Sequence, residues 1–306
     1  MAVNRIEIVN FGINRHKEAP ANAALKPGHI ISLMSTGKVK KHDVVGGVSQ
    51  FLIAKEDALQ GNLITDAFAQ DDIVPYAIGV RGDKFYPRIP ANAPAILVGD
   101  LLESNGDGCL RKALLNSGVL FAAAAASTAL NTHTTITPFD VSTSIPANAL
   151  KVGDIIHIQA VVLFANASNS TETSVITLKF GGLTIKATTA LDHAAADIAV
   201  IDAYIHVRAI GASGSVVAYG THQAGAPATA SVFAFYTAAQ TLDTTAAATI
   251  TVSQTNSASH ANTGGQLVDL VVDASHTAGV GPIAVAEEAV DNSAVAAEAF
   301  ILASVL

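Results

Sequence analysis

At 306 residues, half of them hydrophobic, the chain is long enough for two domains that each bury a core. Charged residues make up only 14%, where ordinary soluble domains carry about 25%, and the net charge of -8 argues against nucleic acid as a main partner. No run of about 18 apolar residues is present, so no membrane span or membrane partner is predicted, and no signal peptide is evident. So few charges are typical of chains packed into larger assemblies.

Residues 1–24 are predicted to form an extended N-terminal arm. Ile6, Ile8 and Val9 favour a strand that is added to another sheet, and the polar stretch from Asn10 to Asn22 has no core-facing pattern. We expect a segment that a partner orders, with a frayed terminus as the alternative.

Residues 25–118 are predicted to form a small all-β module of short strands and tight turns. Gly82-Asp83 indicates a hairpin turn, and Pro75 inside the strand candidate at 73–80 indicates a sheet edge. Residues 119–137, which include a run of five alanines, are predicted to be a linker.

Residues 138–277 are predicted to form a second module. Tyr204-Ile-His-Val-Arg and Thr249-Ile-Thr-Val-Ser alternate with the period of a strand. Eight strand candidates separated by turn residues indicate a sandwich of jelly-roll type. These candidates are Ile155 to Phe164, Val175 to Phe180, Leu183 to Thr188, Ile198 to Ala209, Ser215 to Thr221, Ser231 to Tyr236, Ala248 to Ser253 and Leu267 to Val272.

Residues 278–306 contain two further strand candidates around an Asp291-Asn-Ser turn. Because an isolated hairpin is unstable, this segment needs a partner sheet, and the module at 25–118 is the expected one. The predicted fold is therefore all-β: a small, turn-rich barrel or sandwich module, split in two (25–118 plus 278–306), with an inserted jelly-roll β-sandwich.

One phrase occurs twice, as Ile89-Pro-Ala-Asn-Ala and as Ile145-Pro-Ala-Asn-Ala, each followed within a few residues by Val-Gly-Asp. Proline suits the start of a strand, asparagine suits a turn, and Gly-Asp suits a second bend. Both copies are predicted to be entrances to strands.

Motifs for chemistry are missing from the sequence, which has no phosphate-binding glycine loop, His-Glu-x-x-His, cysteine pair or Gly-x-Ser-x-Gly. The ten histidines are scattered, and His157, His206 and His222 form no His-x-His pair. The single cysteine, Cys109, rules out an intrachain disulfide and is expected to be a buried small hydrophobe. We therefore expect no enzyme activity, cofactor or metal, and we assign no catalytic residue.

Three weaker motifs have simpler explanations. Glu103 to Gly108 faintly resembles a calcium loop, but Leu114 stands where a glutamate is required, so a plain turn is expected. Arg81-Gly82-Asp83 matches an adhesion tripeptide and is expected to be a hairpin turn. Asn166 and Asn169 match glycosylation acceptors and are expected to be loop residues.

The organisation resembles the head decoration (capsid cement) proteins of tailed bacteriophages. The matching residues are Pro27-Gly28-His-Ile-Ile, Ile78-Gly-Val, Gly99-Asp100-Leu-Leu with Gly106-Asp-Gly, and the closing segment from Pro282 to Asp291. The inserted module resembles the jelly-roll domains of phage fibres and spikes, through the segment from Ile145 to Ile158 and Ala203-Tyr-Ile-His-Val-Arg.

The resemblance implies a structural virion protein, made in the cytoplasm of a host bacterium, that stabilises the outer surface of a phage capsid by bridging major capsid subunits. It implies a homotrimer, with a dimer left open, and contacts between neighbouring copies through the N-terminal arm. The alternative is a phage adhesin whose jelly roll binds a host glycan or receptor. An enzyme of cupin type is the third hypothesis.

Overall fold

The computed structural model describes residues 5–9, 15–46, 50–115, 118–130, 134–164, 172–225, 232–258, 264–275 and 282–306. Within these ranges the regular secondary structure consists of strands alone, which confirms the predicted all-β fold class. None of the described segments forms a helix long and apolar enough to cross a membrane. The chain forms two compact units, unit 1 (Met1–Ala113 with Ala278–Leu306) and unit 2 (Leu114–Thr277).

The strands of unit 1 are short, with at most six residues each. They are Glu7–Val9 (β1), His16–Pro20 (β2), Ile31–Leu33 (β3), Val39–Lys41 (β4), Leu52–Ala54 (β5), Ile73–Ile78 (β6), Lys84–Phe85 (β7), Arg88–Ile89 (β8), Leu101–Ser104 (β9), Leu110–Lys112 (β10), Ala284–Ala286 (β22), Ala299–Phe300 (β23) and Ala303–Val305 (β24).

The largest sheet of unit 1 has the order β1-β7-β24-β22-β9-β10, so strands from the end of the chain lie in its middle. A second sheet has the order β2-β6-β5, and β3-β4 and β8-β23 form two-stranded ladders. Phe85, Leu102 and Ile301 are fully buried in the main core. The described part of the largest sheet ends in two free edges, β1 and β10, so it is an open sheet and not a barrel.

The prediction of an extended arm is wrong for the described part of residues 1–24. β1 pairs with β7, β2 pairs with β6, and Ile6 is fully buried in the core of unit 1. The sequence pattern does not predict β2, because Ala19 is its only buried side chain. An edge strand of this kind has no alternating apolar pattern.

Pro75 lies in the central strand of its three-stranded sheet and not at the predicted edge. Its carbonyl accepts a hydrogen bond from the Lys55 N–H, one residue beyond the end of β5. Proline has no N–H to return the reciprocal bond to the Lys55 carbonyl, so the β5–β6 ladder ends at this pair.

Unit 2 contains longer strands. They are Gly118–Ala122 (β11), Thr137–Ile145 (β12), Ile155–Phe164 (β13), Ser174–Phe180 (β14), Leu183–Ala187 (β15), Ile198–Ala209 (β16), Gly214–Gly225 (β17), Val232–Tyr236 (β18), Gln240–Leu242 (β19), Ala248–Asn256 (β20) and Gly265–Ser275 (β21). Each of the eight predicted candidates overlaps one of these strands.

Unit 2 is a sandwich with a jelly-roll path. The larger sheet has the order β11-β21-β13-β16-β17-β18, with β19 also paired to β17, and the smaller sheet has the order β12-β20-β14-β15. The chain crosses between the two sheets repeatedly, as jelly-roll strands do. Inward side chains of both sheets share one core, in which Ile158, Phe164, Leu178 and Ile250 are fully buried.

The predicted linker at 119–137 contains strand residues at both ends. β11 pairs with β21, and β12 pairs with β20, so each is an edge strand of one sheet of the sandwich. In β12 only Phe139 and Ile145 are buried, and serine and threonine fill most of the other positions. β12 was therefore not among the predicted strands, although its backbone hydrogen bonds form a ladder with β20.

Both copies of the repeated phrase adopt the predicted turns. Asn92 and Asn148 have φ of 54° and 58°, a left-handed conformation that asparagine tolerates. The Val-Gly-Asp turn of the first copy leads into β9 and that of the second into β13. The prediction that both copies open strands is confirmed.

Candidate functional site

Polar side chains from four separate segments of unit 1 meet in its interior. His29 lies just before β3, Arg88 lies in β8, Cys109 lies just before β10, and Glu298 lies just before β23. His29 and Cys109 are fully buried, and Arg88 is 5% exposed. These four residues, here called the His29 cluster, were not grouped from the sequence because they are up to 269 positions apart.

The carboxylate of Glu298 connects the cluster. Its Oε1 lies 3.3 Å from His29 Nε2, and its Oε2 accepts a hydrogen bond from Arg88 Nη1 at 3.1 Å. Arg88 also donates to the carbonyls of Pro27 at 2.6 Å and Ile64 at 2.7 Å, and its guanidinium lies 4.5 Å from the centre of the Phe300 ring. A buried guanidinium with these partners is well satisfied, so it joins the segments of unit 1 firmly.

One donor atom each from His29, Cys109 and Glu298 lies within 4.8 Å of the others, a spacing that a metal ion could use. The protonation of His29 argues against this. The Lys26 N–H donates to His29 Nδ1 at 3.0 Å, so the ring proton is on Nε2 and points at Glu298. A metal at Nε2 would require a ring with no proton at all, because the second nitrogen is already an acceptor.

Burial sets the protonation of the cluster. It lowers the pKa of His29 to about 4, with the charge of Lys41 acting in the same direction. Burial also raises the pKa of the Cys109 thiol. For Glu298, burial is outweighed by His29 and Arg88, which hold its pKa below the usual value. At neutral pH the cluster holds a neutral imidazole, a neutral thiol and a carboxylate paired with Arg88, an arrangement that suits a structural role better than nucleophilic chemistry.

A second set of polar and aromatic side chains crosses the outward face of the larger sheet of unit 2. In the sheet register Asp273 is opposite His157, His157 is opposite Tyr204, Tyr204 is opposite Tyr219, and Tyr219 is opposite Tyr236. These five residues are here called the tyrosine row. The row brings together all three tyrosines of unit 2.

The centre of the tyrosine row is a stack of rings. His157 and Tyr204 are 4.5 Å apart between ring centres, and Tyr204 and Tyr219 are 5.5 Å apart, each pair tilted by 14°. His157 Nε2 lies 2.9 Å from a carboxylate oxygen of Asp202, and its Nδ1 lies 3.3 Å from one of Asp273. The two carboxylates lie on opposite sides of the imidazole, so they do not converge on a reacting atom.

One pair of this row, Tyr204 and Tyr219, could have been predicted from the sequence. Tyr204 and Tyr219 lie at equal distances from the turn that joins β16 and β17, so a hairpin register would have set them opposite each other. The continuation to His157 and Tyr236 depends on strand order in the sheet, which the sequence pattern does not give.

A cleft in unit 1 has a volume of about 500 Å³. Charges of both signs line it, and Lys55 forms an ion pair with Glu7 at 2.5 Å beside His16, which lies 2.8 Å from the same carboxylate. The remaining lining residues are Arg5, Lys17, Glu18, Glu56, Asp57, Ala58, Leu59, Pro75 and Tyr76. None of these lining residues is a serine, threonine or cysteine that could act as a nucleophile.

The structure resolves the weaker motifs. Gly82 has φ of 91° and Asp83 is fully buried against Arg15 at 3.2 Å, so Arg81-Gly82-Asp83 is the predicted turn. Glu103 is also fully buried and pairs with Arg111 at 2.9 Å, which removes it from any calcium loop. Cys109 is buried as expected. Asn166 and Asn169 lie outside the described residues.

The fold and these sites define an all-β protein of two units, the second of which is a jelly-roll sandwich. No protein-family model matches the chain, and no curated protein matches it. Among solved structures, the chain is similar to one in the structure of infectious bursal disease virus Gx strain, with 9% identity and a TM-score of 0.26. That match covers 98% of this chain and 75% of the other, and so low a TM-score carries no argument about fold or function.

Proposed function

We propose that this chain is a structural virion protein that decorates the outer surface of a tailed-phage capsid, with unit 1 bound to the major capsid protein. The observation that carries the proposal is the construction of unit 1. The chain leaves unit 1 after β10 and returns before β22, and both of these strands flank β9 in one sheet. A load on the inserted jelly roll would therefore enter unit 1 through the two strands on either side of β9 in its largest sheet.

The interior of unit 1 supports a role as an anchor. The His29 cluster ties residues near both ends of the chain to its middle, and the buried pairs Arg15–Asp83 and Arg111–Glu103 add further cross-links. These groups are used for internal bonds, which leaves them unsuited to catalysis. We therefore propose that the protein is not an enzyme and needs no cofactor.

Exposed apolar side chains at turns of unit 1 supply the proposed contact with the capsid. Leu59 is fully exposed, Leu97 is 60% exposed and Val98 is 67% exposed. Contiguous exposed apolar side chains, such as those of the adjacent Leu97 and Val98, are found at protein contact sites. We propose that these turns dock on the major capsid protein.

The experiment is a binding assay of the purified full-length chain on expanded capsids assembled without it. Saturable binding, with a fixed number of copies per capsid hexamer or pentamer, supports the proposal. Failure to bind these capsids while binding whole host cells contradicts it.

An adhesin is the second candidate function, and the tyrosine row favours it. Exposed tyrosines beside carboxylates and histidines suit sugar rings, which stack on aromatic faces and hydrogen-bond to polar neighbours. Tyr219 and Tyr236 are 43% and 71% exposed. A glycan array separates the two functions, because an adhesin gives hits that Tyr236→Ala abolishes, whereas a decoration protein gives none.

A further inference from the structure

β18 is an edge strand made only of hydrophobic residues, Val-Phe-Ala-Phe-Tyr. It pairs with β17 in an unbroken register, and no strand in the described ranges pairs with its other side. Val232, Phe233 and Tyr236 are 62%, 50% and 71% exposed. Edge strands of soluble proteins commonly carry a lysine, a proline or a bulge that blocks pairing with another chain, and β18 has none of these.

The backbone of β18 presents hydrogen-bonding groups along its free edge. The N–H of Thr237, the residue that follows β18, donates to the carbonyl of Ala218 in β17. Because the direction of the N–H and C=O groups alternates along an antiparallel strand, those of the two phenylalanines also face β17. The N–H and C=O groups of Val232, Ala234 and Tyr236 therefore face the free edge.

The sequence of β18 is symmetric about Ala234, with a phenylalanine on each side and then a valine or a tyrosine. If two copies pair antiparallel about a two-fold axis at this residue, Ala234 lies opposite Ala234, Phe233 opposite Phe235, and Val232 opposite Tyr236. The backbone groups at the axis are the ones that face the free edge, so both hydrogen bonds of the central pair can form. A strand of this kind is complementary to itself, as a two-fold interface requires.

Charge within the two edge strands does not oppose this pairing. β18 carries no charged residue, and the β17 residues opposite it, from Tyr219 to Gln223, include no lysine, arginine or carboxylate. Burial lowers the pKa of His222, the one titratable imidazole among them, which favours its neutral form. Lys186 is a cation beside this edge, and its Nζ lies 5.5 Å from the centre of the Phe235 ring, a cation–π partner. The strands that would meet bring no like charges of their own together.

We propose that β18 is a self-association site, at which two copies of this chain join their larger sheets into one continuous antiparallel sheet across a two-fold axis. In this register β18 is complementary to itself, with apolar side chains opposite apolar side chains, so a second copy of this chain fits its free edge. This inference does not rest on the proposed function, because either a decoration protein or an adhesin can use it.

The test measures the molar mass of the full-length protein in solution by light scattering after gel filtration. The test variant is Ala234→Lys, whose exposed side chain lies at the axis and sets two ammonium groups against each other in the pair. The matched control is Thr249→Lys, which adds the same charge at an exposed position of the smaller sheet. We expect a dimer for the unmodified chain and for the control, and half that mass for Ala234→Lys.

A second measurement does not depend on the folding of the lysine variant. In Ala234→Cys the new thiol is accessible, whereas the native Cys109 is buried. A short bismaleimide should link two copies of this variant at the axis and should leave the unmodified chain unlinked. The proposal is overturned if the unmodified chain is a monomer, if it is a trimer that Ala234→Lys leaves intact, or if Ala234→Cys does not cross-link.

Discussion

Six tight turns in the described ranges end in an aspartate whose carboxylate accepts a hydrogen bond from the N–H three positions earlier, over 2.7 to 3.0 Å. The aspartates are Asp66, Asp72, Asp83, Asp100, Asp154 and Asp197. In five of these turns the residue before the aspartate has positive φ. Three of those five residues are glycines, which adopt this conformation without strain.

At the positive-φ position before the aspartate, replacing glycine by alanine should lower the free energy of unfolding, and replacing alanine by glycine should raise it. Gly99 has φ of 87°, and an added methyl group would meet only open space, so Gly99→Ala tests backbone strain without a clash. We expect Gly99→Ala to lower the free energy of unfolding by roughly 0.5–1 kcal/mol. We expect Ala196→Gly, at φ of 67°, to raise it by a similar amount. Urea unfolding measures both. Equal signs for the two variants would contradict the strain argument.

Acidification should destabilise unit 1 through His29. Its pKa is 6.5 when unfolded and about 4 when folded, so below pH 6.5 the unfolded state binds more protons. Stability is therefore intact above pH 6.5 and is lost as the pH falls from there towards 4. The loss between pH 7 and pH 5 should be about 2 kcal/mol.

The control for this pH dependence is His29→Gln, which removes the titrating ring. The variant should be less stable at pH 7 but should lose less on acidification, retaining the contribution of His42, whose pKa burial also lowers. Urea unfolding at both pH values provides the comparison. An unchanged pH dependence in the variant would show that His29 is not the group responsible.

The strands that bury one face along their length are the ones whose sequence pattern predicts them best. β13 and β16 alternate between buried and half-exposed residues along nearly their whole length, and both were predicted with correct bounds. β2 and β12 were missed because edge strands bury few of their side chains. The His29 cluster and the tyrosine row were missed for a different reason, since both depend on which strands become neighbours in a sheet.

Removing β24 should unfold unit 1 selectively. This strand lies between β7 and β22 in the largest sheet, and its Ala303 and Val305 are buried in the core. Deletion of residues 303–306 should therefore abolish the unfolding transition of unit 1 and leave the amides of β13 and β16 protected. Hydrogen exchange measured by mass spectrometry resolves the two units.

Deletion of Leu306 alone is the control for this truncation, because that residue is 50% exposed and lies outside β24. It should leave both units protected. Native protection of β7 and β9 in the longer truncation would contradict the central position of β24.

At the scale of the whole molecule, the split module with an inserted sandwich was expected from two sequence features, the isolated hairpin at the end of the chain and the change of composition in the middle. The structure assigns residues 278–306 to the same compact unit as residues 1–113. The described part of the N-terminal segment pairs inside unit 1, and a contact between copies through it stays a prediction. The free edge of β18 is a second proposed contact between copies.

Charging the exposed turn of unit 1 should weaken capsid binding without unfolding the protein. Leu97 and Val98 lie at the turn before β9 and face solvent, so Leu97→Asp with Val98→Asp adds two charges where we propose an apolar contact. We expect capsid affinity to fall at least about tenfold, which corresponds to about 1.4 kcal/mol. Co-sedimentation with capsids measures it.

The control is Val152→Asp, which adds one charge at the turn position of the second phrase equivalent to Val98, in unit 2, where Val152 is 54% exposed; Val98→Asp alone is its matched single variant. The Val152→Asp variant should bind capsids like the unmodified chain. An equal loss of capsid affinity in the unit 1 and unit 2 variants would show that the Leu97–Val98 turn is not the contact.

The measurement that tests the central claim most directly is a cryo-EM reconstruction of the virion that carries this chain. The account predicts density for unit 1 on the outer face of the capsid lattice, at many equivalent positions, with the jelly roll projecting outward. Density confined to a tail tip or a unique vertex would contradict decoration and would favour the adhesin.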